Sequence, residues 1–196
     1  MKVLSVNTAS VGELFITQSS HTHRIVTGIH KRPVEGPVAV GKLGLAGDEQ
    51  ADLTVHGGLR KAVYAYPSEH YPFWMAQRLA ALKREEALPP GSMGENLTLQ
   101  GLLEKDVWVG DRLLIGSAIL EVTEPRQPCF KFNAKMGFSH AAKLMLQGGI
   151  SGFYLSVVET GAVRAGDAIE LVPGPREVAL VQINERRRMG RQRDLF

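Results

Sequence analysis

The pattern V-x-x-G-D-x-(L/I) occurs twice in the chain, at Val107–Leu113 and at Val163–Ile169. In each copy the Gly-Asp pair favours a tight turn, and the alternating apolar residues after it are typical of a β-strand. The sequence between the two copies does not repeat, so we interpret them as recurring corners of a barrel and not as units of a solenoid. The 21 glycines and 10 prolines point the same way, because frequent turns favour short strands over long helices.

Hydrophobic periodicity predicts where the strands and helices lie. Short β-favouring runs predict strands at residues 1–7, 25–29, 38–40 and 63–66. Apolar residues recur at helical spacing within residues 68–86, which predicts an amphipathic helix there. A second helix is predicted from Ser139, as its N-cap, to Gln147, with Gly148 as the stop signal.

No low-complexity linker divides the chain. We therefore expect one mainly β domain with a few peripheral α-helices over residues 1–175, followed by a short helical and basic tail over residues 176–196. Within residues 185–196 of that tail, five arginines face only Glu185 and Asp194, which leaves residues 1–184 formally neutral. A nucleic-acid-binding protein normally spreads its positive charge over a folded face, so we do not expect nucleic acid as a partner.

Cysteine usage and hydropathy bear on the compartment. Cys129 is the only cysteine, so no disulfide framework is available and a reducing compartment, the cytoplasm, is the expected location. No apolar run approaches the ~18 residues that indicate a membrane span, so we expect no membrane partner.

The segment GDEQADLTVHGG is the first candidate site. Its paired glycines, Gly57 and Gly58, would allow backbone N–H groups to approach an anionic ligand closely. His56 and Lys61 add hydrogen-bond donors. A β-turn with a surface histidine explains the same segment equally well.

The segment GENLT is the second candidate. It places Glu95 and Asn96 between a glycine-rich loop and a predicted strand, where side chains point into the mouth of a barrel. Both residues are candidates for contact with a ligand. A capping role for Asn96 in a turn fits the pattern as well.

The segment PRQPCFKF is the third candidate, and it contains Cys129. Pro125 and Pro128 restrict the backbone, so the thiol is held in a preorganised loop. The neighbouring charges of Arg126 and Lys131 favour a thiolate over a thiol. A lone cysteine is more commonly a buried apolar filler, but this rigid, basic setting makes a functional role an equal alternative.

Several common sites have no support in the sequence. There is no G-x-x-x-x-G-K-(S/T) loop and no G-x-G-x-x-G turn, so ATP and dinucleotide sites are not predicted. The H-G-G triplet is not accompanied by a G-x-S-x-G nucleophile elbow. His21 and His23 have no nearby cysteine or carboxylate, so zinc is not predicted either.

The chain resembles the MOSC-domain family, which is named for the C-terminal domain of molybdenum cofactor sulfurase, and within it the compact stand-alone subgroup. The resemblance rests on these segments in family order: GDEQADLTVHGGLRKAVYAYPSEHYPFW, MGENLTLQGL with VGDRLLIG, PRQPCFKF and GFYLSVVETGAVRAGD. They span residues 25–172. The resemblance implies a closed or nearly closed β-barrel with peripheral helices that carries a molybdenum cofactor (molybdopterin).

The resemblance also implies roles for individual residues. Cys129 matches the family's metal-coordinating cysteine, and a soft thiolate suits a soft metal site. The implied cofactor-binding residues are His56, Gly57, Gly58, Lys61, Asn96 and Arg126. Glu95, Asp48 and His56 are the candidate proton donors.

The activity that the resemblance implies is the reduction of small N-hydroxylated substrates, such as N-hydroxylaminopurines, to amines. Nothing in the sequence offers a flavin, haem or iron–sulfur site, so an external electron-transfer reductase is the expected partner. Two alternatives stay open. Cys129 could carry a persulfide in a sulfur-carrier module that catalyses no reduction, or Lys61 could bind pyridoxal phosphate.

Overall fold

A computed structural model describes residues 1–18, 21–53, 57–83 and 85–193. The strands within these ranges are β1 (Lys2–Thr8), β2 (Gly12–Gln18), β3 (His21–Thr27), β4 (Arg32–Val34), β5 (Val38–Gly41), β6 (Gly44–Leu45), β7 (Val63–Pro67), β8 (Leu97–Gln100), β9 (Arg112–Ile115), β10 (Ala118–Pro125), β11 (Phe153–Glu159), β12 (Gly161–Val163) and β13 (Ile169–Val172). The α-helices are α1 (Tyr71–Leu82), α2 (Phe130–Met136), α3 (Ala141–Gly148) and α4 (Leu180–Arg193). The predicted mainly β class is confirmed.

The main sheet has eight strands in the order β13-β9-β10-β11-β7-β8-β1-β4. Its pairs are antiparallel except for β7 and β8, which run parallel. A three-stranded sheet, β12-β5-β6, and the hairpin β2-β3 complete the strands of the described ranges.

The strand pairing of the described residues does not form a closed barrel. The sheet nevertheless curls until β1 meets the turn before β13, where Val3 N–H donates to the Asp167 carbonyl (2.9 Å) and Gly166 N–H donates to the Val3 carbonyl (2.8 Å). Lys2 and Ala168 form an isolated bridge at the same place. The expectation of a barrel is thus met only as a curled sheet with two of its strands joined by a few hydrogen bonds.

The two Gly-Asp turns are confirmed as equivalent corners. Gly110 and Gly166 have φ of +88° and +92°, a region that favours glycine. In each corner the aspartate accepts a hydrogen bond from the backbone N–H three residues earlier: Asp111 from residue 108 (3.0 Å) and Asp167 from residue 164 (2.9 Å). The strands that follow, β9 and β13, pair with each other.

Two apolar clusters form the core. The larger lies inside the curled sheet and is built from Val, Leu and Ile side chains of alternating strand positions, as in β10, where Leu120 and Val122 are buried. The second lies between β7, β11 and helices α1 to α3, with Trp74, Phe132 and Met145 fully buried. This second cluster holds α2 against the sheet and so fixes the position of Cys129 directly before it.

Several predicted elements are confirmed with shifted limits, and others, among them β2 and α2, were not predicted. Helix α1 lies within the predicted 68–86 segment, but α3 begins after His140, so the prediction of Ser139 as N-cap was wrong. Strand β3 begins four residues before the predicted strand at 25–29, and its hairpin partner β2 was not predicted. Helix α2 was not predicted either, because the prolines of PRQPCFKF indicated only a turn.

Candidate functional site

An open pocket of about 660 Å³, its mouth included, lies where three predicted segments converge beside the ends of β10 and β11. The described residues that line it are Thr27, Gly28, Ile29, Lys31, Asp48, Glu49, Gln50, Ala51, Asp52, Lys61, Tyr64, Gly94, Asn96, Arg126, Cys129, Lys131 and Tyr154. The structure therefore brings together five of the nine predicted site residues: Asp48, Lys61, Asn96, Arg126 and Cys129.

Cys129 reaches the pocket from the N-cap position of a helix. It is the N-cap residue of α2, with an extended backbone (φ −125°, ψ 178°), and its side chain makes no capping hydrogen bond. The residue is partly exposed. A thiol in this position is accessible to a ligand in the pocket, unlike the buried filler that was the alternative.

Arg126 is the buried cation beside that thiol. Its guanidinium lies 4.7 Å from the ring centroid of Tyr64 and 5.3 Å from that of Phe132, and it donates to the Met93 carbonyl. No carboxylate within the described ranges forms an ion pair with it. Because the guanidinium stays charged in proteins, an anion that enters the pocket meets a positive charge that no neighbouring acid neutralises.

Tyr64 and Tyr154 form the aromatic wall of this side of the pocket, with ring centroids 5.4 Å apart. The Tyr64 hydroxyl donates to the Ser151 carbonyl (2.7 Å), which anchors the ring. Burial raises the pKa of both tyrosines, more than the nearby Arg126 lowers it. Both phenols are therefore neutral hydrogen-bonding groups at physiological pH.

Lys61 lies next to the same wall. Its Nζ is 5.8 Å from the ring centroid of Tyr154 and 4.0 Å from Oε1 of Glu124, and its side chain is partly exposed. Lys61 is therefore a second cation at the pocket on the side of Arg126.

Lys31 is a pocket residue that the sequence analysis missed. Its ammonium forms an ion pair with Asp48, and both side chains are almost completely buried, at 9% and 3% exposure. Burial lowers the pKa of Lys31, although the attraction of Asp48 acts in the opposite direction. Lys31 and Cys129 are 98 positions apart, so no local pattern could have joined them.

Asp48 and Asn96 form a hydrogen-bonded unit in the pocket wall. Asp48 accepts from Asn96 Nδ2 (2.8 Å) and from the Ala9 N–H (3.0 Å), in addition to its ion pair with Lys31. Asn96 Oδ1 accepts from the Tyr64 N–H (3.0 Å). Both predicted residues thus reach the pocket, and both also hold its wall together.

Glu95 does not line the pocket. It is completely buried, and its carboxylate accepts hydrogen bonds from the Tyr71 hydroxyl, the Gly91 N–H (2.8 Å), the Met93 N–H (3.0 Å) and the Thr98 hydroxyl (2.7 Å). These four donors use the hydrogen-bonding capacity of the carboxylate. The placement gives no support to a role of Glu95 as proton donor to a ligand in the pocket, and it assigns Glu95 to the folding of the loop that carries Met93 and Gly94.

The paired glycines also differ from the prediction. Gly57 and Gly58 are not among the lining residues, and the Gly58 N–H donates to Gln50 Oε1 (2.8 Å) and not toward the pocket. A Cβ at Gly57 would lie 2.2 Å from the same oxygen, so a close approach to Gln50 explains this glycine. His56 lies outside the described residues.

The described part of the chain contains no cluster of three His, Cys, Asp or Glu residues that could hold a metal ion. A metal carried within an organic cofactor needs few protein ligands, and Cys129 could supply one of them. The residues fit such a group, because a thiol lies beside the cations Arg126 and Lys61. No helix in the described ranges is long and apolar enough to cross a membrane.

The chain is similar to several known proteins. It is 41% identical to the YflK protein of Bacillus subtilis over 83% of this chain and 71% of the relative. It is 36% identical to a protein named reductase from Gibberella moniliformis over 77% of this chain, which corresponds to only 26% of that longer protein. The crystal structure of YiiM from Geobacillus stearothermophilus superposes with a TM-score of 0.71 at 35% identity, over 93% of this chain and 81% of that one.

The sequence profile of the MOSC domain matches residues 52–170, which is more than half of the chain and includes Lys61, Asn96, Arg126 and Cys129. Together with the YflK relative, this match confirms the predicted resemblance. The chain belongs to the MOSC domain family.

Proposed function

We propose that this chain binds a molybdenum cofactor in the pocket, with the Cys129 thiolate as its sulfur ligand, and reduces small N-hydroxylated compounds to amines. The observation that carries the proposal is the accessible thiol of Cys129 beside Arg126, a buried cation without an acidic partner in the described ranges. Membership of the MOSC family and the existence of a relative named reductase support it.

The donor set suits such a cofactor. A thiolate is a soft ligand and matches a soft metal centre. Arg126 and Lys61 would hold the anionic parts of the cofactor through charge-assisted hydrogen bonds. When bound, the cofactor would supply the two electrons that convert R–NH–OH to R–NH2, a reaction that also takes up two protons and releases water.

The protein's own part in this reaction is to orient the substrate and to deliver protons. We place the proton source at the Lys31–Asp48 pair, since it is the titratable pair within the pocket wall and burial lowers the pKa of Lys31. Asn96 orients Asp48 through the 2.8 Å hydrogen bond. Tyr64 and Tyr154 provide apolar ring surface for a planar substrate. The electrons would come from a separate reductase.

The test is the metal and pterin content of protein purified from a host that makes molybdopterin, followed by an assay with reduced viologen and 6-N-hydroxylaminopurine. We expect stoichiometric molybdenum and amine formation in the wild type, and loss of both in Cys129→Ser, because a hydroxyl is a harder and far less acidic ligand. Wild-type protein without molybdenum but with a persulfide on Cys129 would replace this proposal with the sulfur-carrier function. A Schiff-base absorbance that disappears in Lys61→Ala would replace it with pyridoxal phosphate binding.

Lys61→Ala tests cofactor binding without a large effect on folding. We expect cofactor affinity to fall about 10- to 100-fold, while the melting temperature stays near that of the wild type. Lys143→Ala, a change of the same charge at an exposed position of α3, is the matched control and should retain the cofactor. Equal retention in the two variants would exclude Lys61 from the cofactor site. Arg126 is less suitable for this test, because its burial means that its removal also destabilises the fold.

A further inference from the structure

The basic tail is not uniformly solvated. Of its arginines, Arg187 in α4 turns back onto the domain, whereas its neighbours Arg186 and Arg188 are exposed. The guanidinium of Arg187 donates from Nη1 to the Pro125 carbonyl (2.6 Å) and from Nη2 to Glu124 Oε2 (3.1 Å). One side chain thus contacts two consecutive residues of another element.

Those two residues end β10 at the point where the chain turns toward the pocket. Pro125 is the last residue of the strand and pairs with Phe153. The Arg126 N–H then donates to the Gly152 carbonyl (3.2 Å), and Cys129 follows after the second proline of the loop. The position of the Pro125 carbonyl therefore determines where the chain enters the loop that carries both pocket residues.

Glu124 links the same contact to a second cation of the pocket. Its Oε2 faces Arg187, while its Oε1 is 4.0 Å from Lys61 Nζ. The field of Glu124 and Arg187 also reaches Tyr154, where the acid raises the pKa of the phenol and the arginine lowers it. Arg187 therefore pairs with an acid that also lies beside Lys61.

We infer that Arg187 is a positioning residue: it holds other residues of the pocket in place and does not itself contact a ligand. It fixes the strand end before Arg126 and Cys129, and it shares the carboxylate of Glu124 with Lys61. The C-terminal helix α4 is by this inference a structural part of the site and not only a solvated tail.

The test compares Arg187→Ala with Arg186→Ala in the full chain, since both changes remove one charge from the same helix. The first readout is hydrogen exchange of the segment 125–132 in protein without cofactor. We expect loss of protection at the Arg126 amide in Arg187→Ala only. Arg187→Lys, which keeps the charge but lacks the planar guanidinium whose two nitrogens reach the two acceptors, should show an intermediate loss.

The second readout rests on the proposed function and is the molybdenum content after purification. We expect Arg187→Ala to retain the cofactor about tenfold less tightly than Arg186→Ala, as for residues that orient a metal ligand.

Equal protection of segment 125–132 in the two variants would overturn the inference whatever the metal content. Lost protection with unchanged molybdenum would overturn the link to the site. Wild-type protein without molybdenum would refute the proposed function alone, because the exchange data do not depend on it. If Arg187→Ala does not fold, Arg187→Lys gives the same comparison.

Discussion

Glu95 and Cys129 were predicted to act at the same site, but the structure places them in opposite settings. Glu95 is completely buried and accepts four hydrogen bonds from the loop and helix around it. Cys129 is partly exposed, and at the N-cap position of α2 its side chain makes no capping hydrogen bond. The difference separates a polar residue that the fold requires from one whose removal the fold should tolerate.

The two residues nevertheless belong to one structure. The loop that Glu95 organises presents the Met93 carbonyl to Arg126, and Arg126 lies three positions before Cys129. A defect at Glu95 would therefore reach the pocket through the backbone. Stability and cofactor content must be measured separately to tell the two kinds of role apart.

Glu95→Ala gives the largest expected effect. The change leaves four donors without their acceptor in a buried region, and each such group costs about 1–3 kcal/mol. We expect the free energy of unfolding to fall by at least about 3 kcal/mol, as measured by urea denaturation. Glu170→Ala, at an exposed position of β13, is the control and should change it by less than about 0.5 kcal/mol. A stable Glu95→Ala protein without activity would instead support the original assignment of Glu95 to catalysis.

Local patterns were sufficient to predict the corners and much of the fold. Each Gly-Asp corner is formed within a few residues, so its turn and the strand after it follow from the sequence around it. The local pattern GENLT, by contrast, could not show that Glu95 and Asn96 have different surroundings. They are adjacent in the chain, but whether each reaches the pocket depends on distant partners such as Tyr71 and Asp48.

The missed parts of the site depend on contacts between distant segments. Lys31 lies in a loop before Pro33 and becomes a site residue only through burial against Asp48. Arg187 was interpreted only as part of a short basic tail, and its side chain reaches Pro125 from a distant element. For α2 a signal was present, because Phe132 and Met136 have the i, i+4 spacing of a buried helix face, but the prolines before Cys129 outweighed it.

Lys31→Met gives a smaller effect that depends on pH. Like Glu95, Lys31 has a buried side chain, but it also lines the pocket. Its pKa in the folded state is lowered below the ordinary value of 10.5. Between the two values the unfolded chain binds more protons than the folded one, so this group makes stability rise with pH. The cost of burying the ammonium is fully present below the folded-state pKa and disappears as the pH approaches 10.5.

The measurement is the free energy of unfolding of wild type and Lys31→Met from neutral pH to 10.5. We expect the difference, wild type minus variant, to increase across this window with a slope below about 1.4 kcal/mol per pH unit, the limit for one group. The buried tyrosines titrate in both proteins and cancel in the difference. Lys143→Met, at an exposed position, should give a constant difference. A constant difference for Lys31→Met as well would show that burial does not shift this lysine.

Cys129→Ser is expected to have the smallest effect on stability, and its sign is informative. Cys129 has the extended backbone of an N-cap but makes no capping bond, whereas a serine hydroxyl at an N-cap can accept a hydrogen bond from the first turn of the helix. We therefore expect Cys129→Ser to leave the free energy of unfolding unchanged or to raise it by up to about 1 kcal/mol, while Cys129→Ala should not raise it. Urea denaturation of the three proteins without cofactor measures this directly.

A rise for serine would mean that the position carries a thiol at some expense of helix stability, which is what a residue kept for metal binding should show. A loss of more than about 2 kcal/mol in both variants, the scale of a lost core contact, would place Cys129 with Glu95 among the residues that the fold requires.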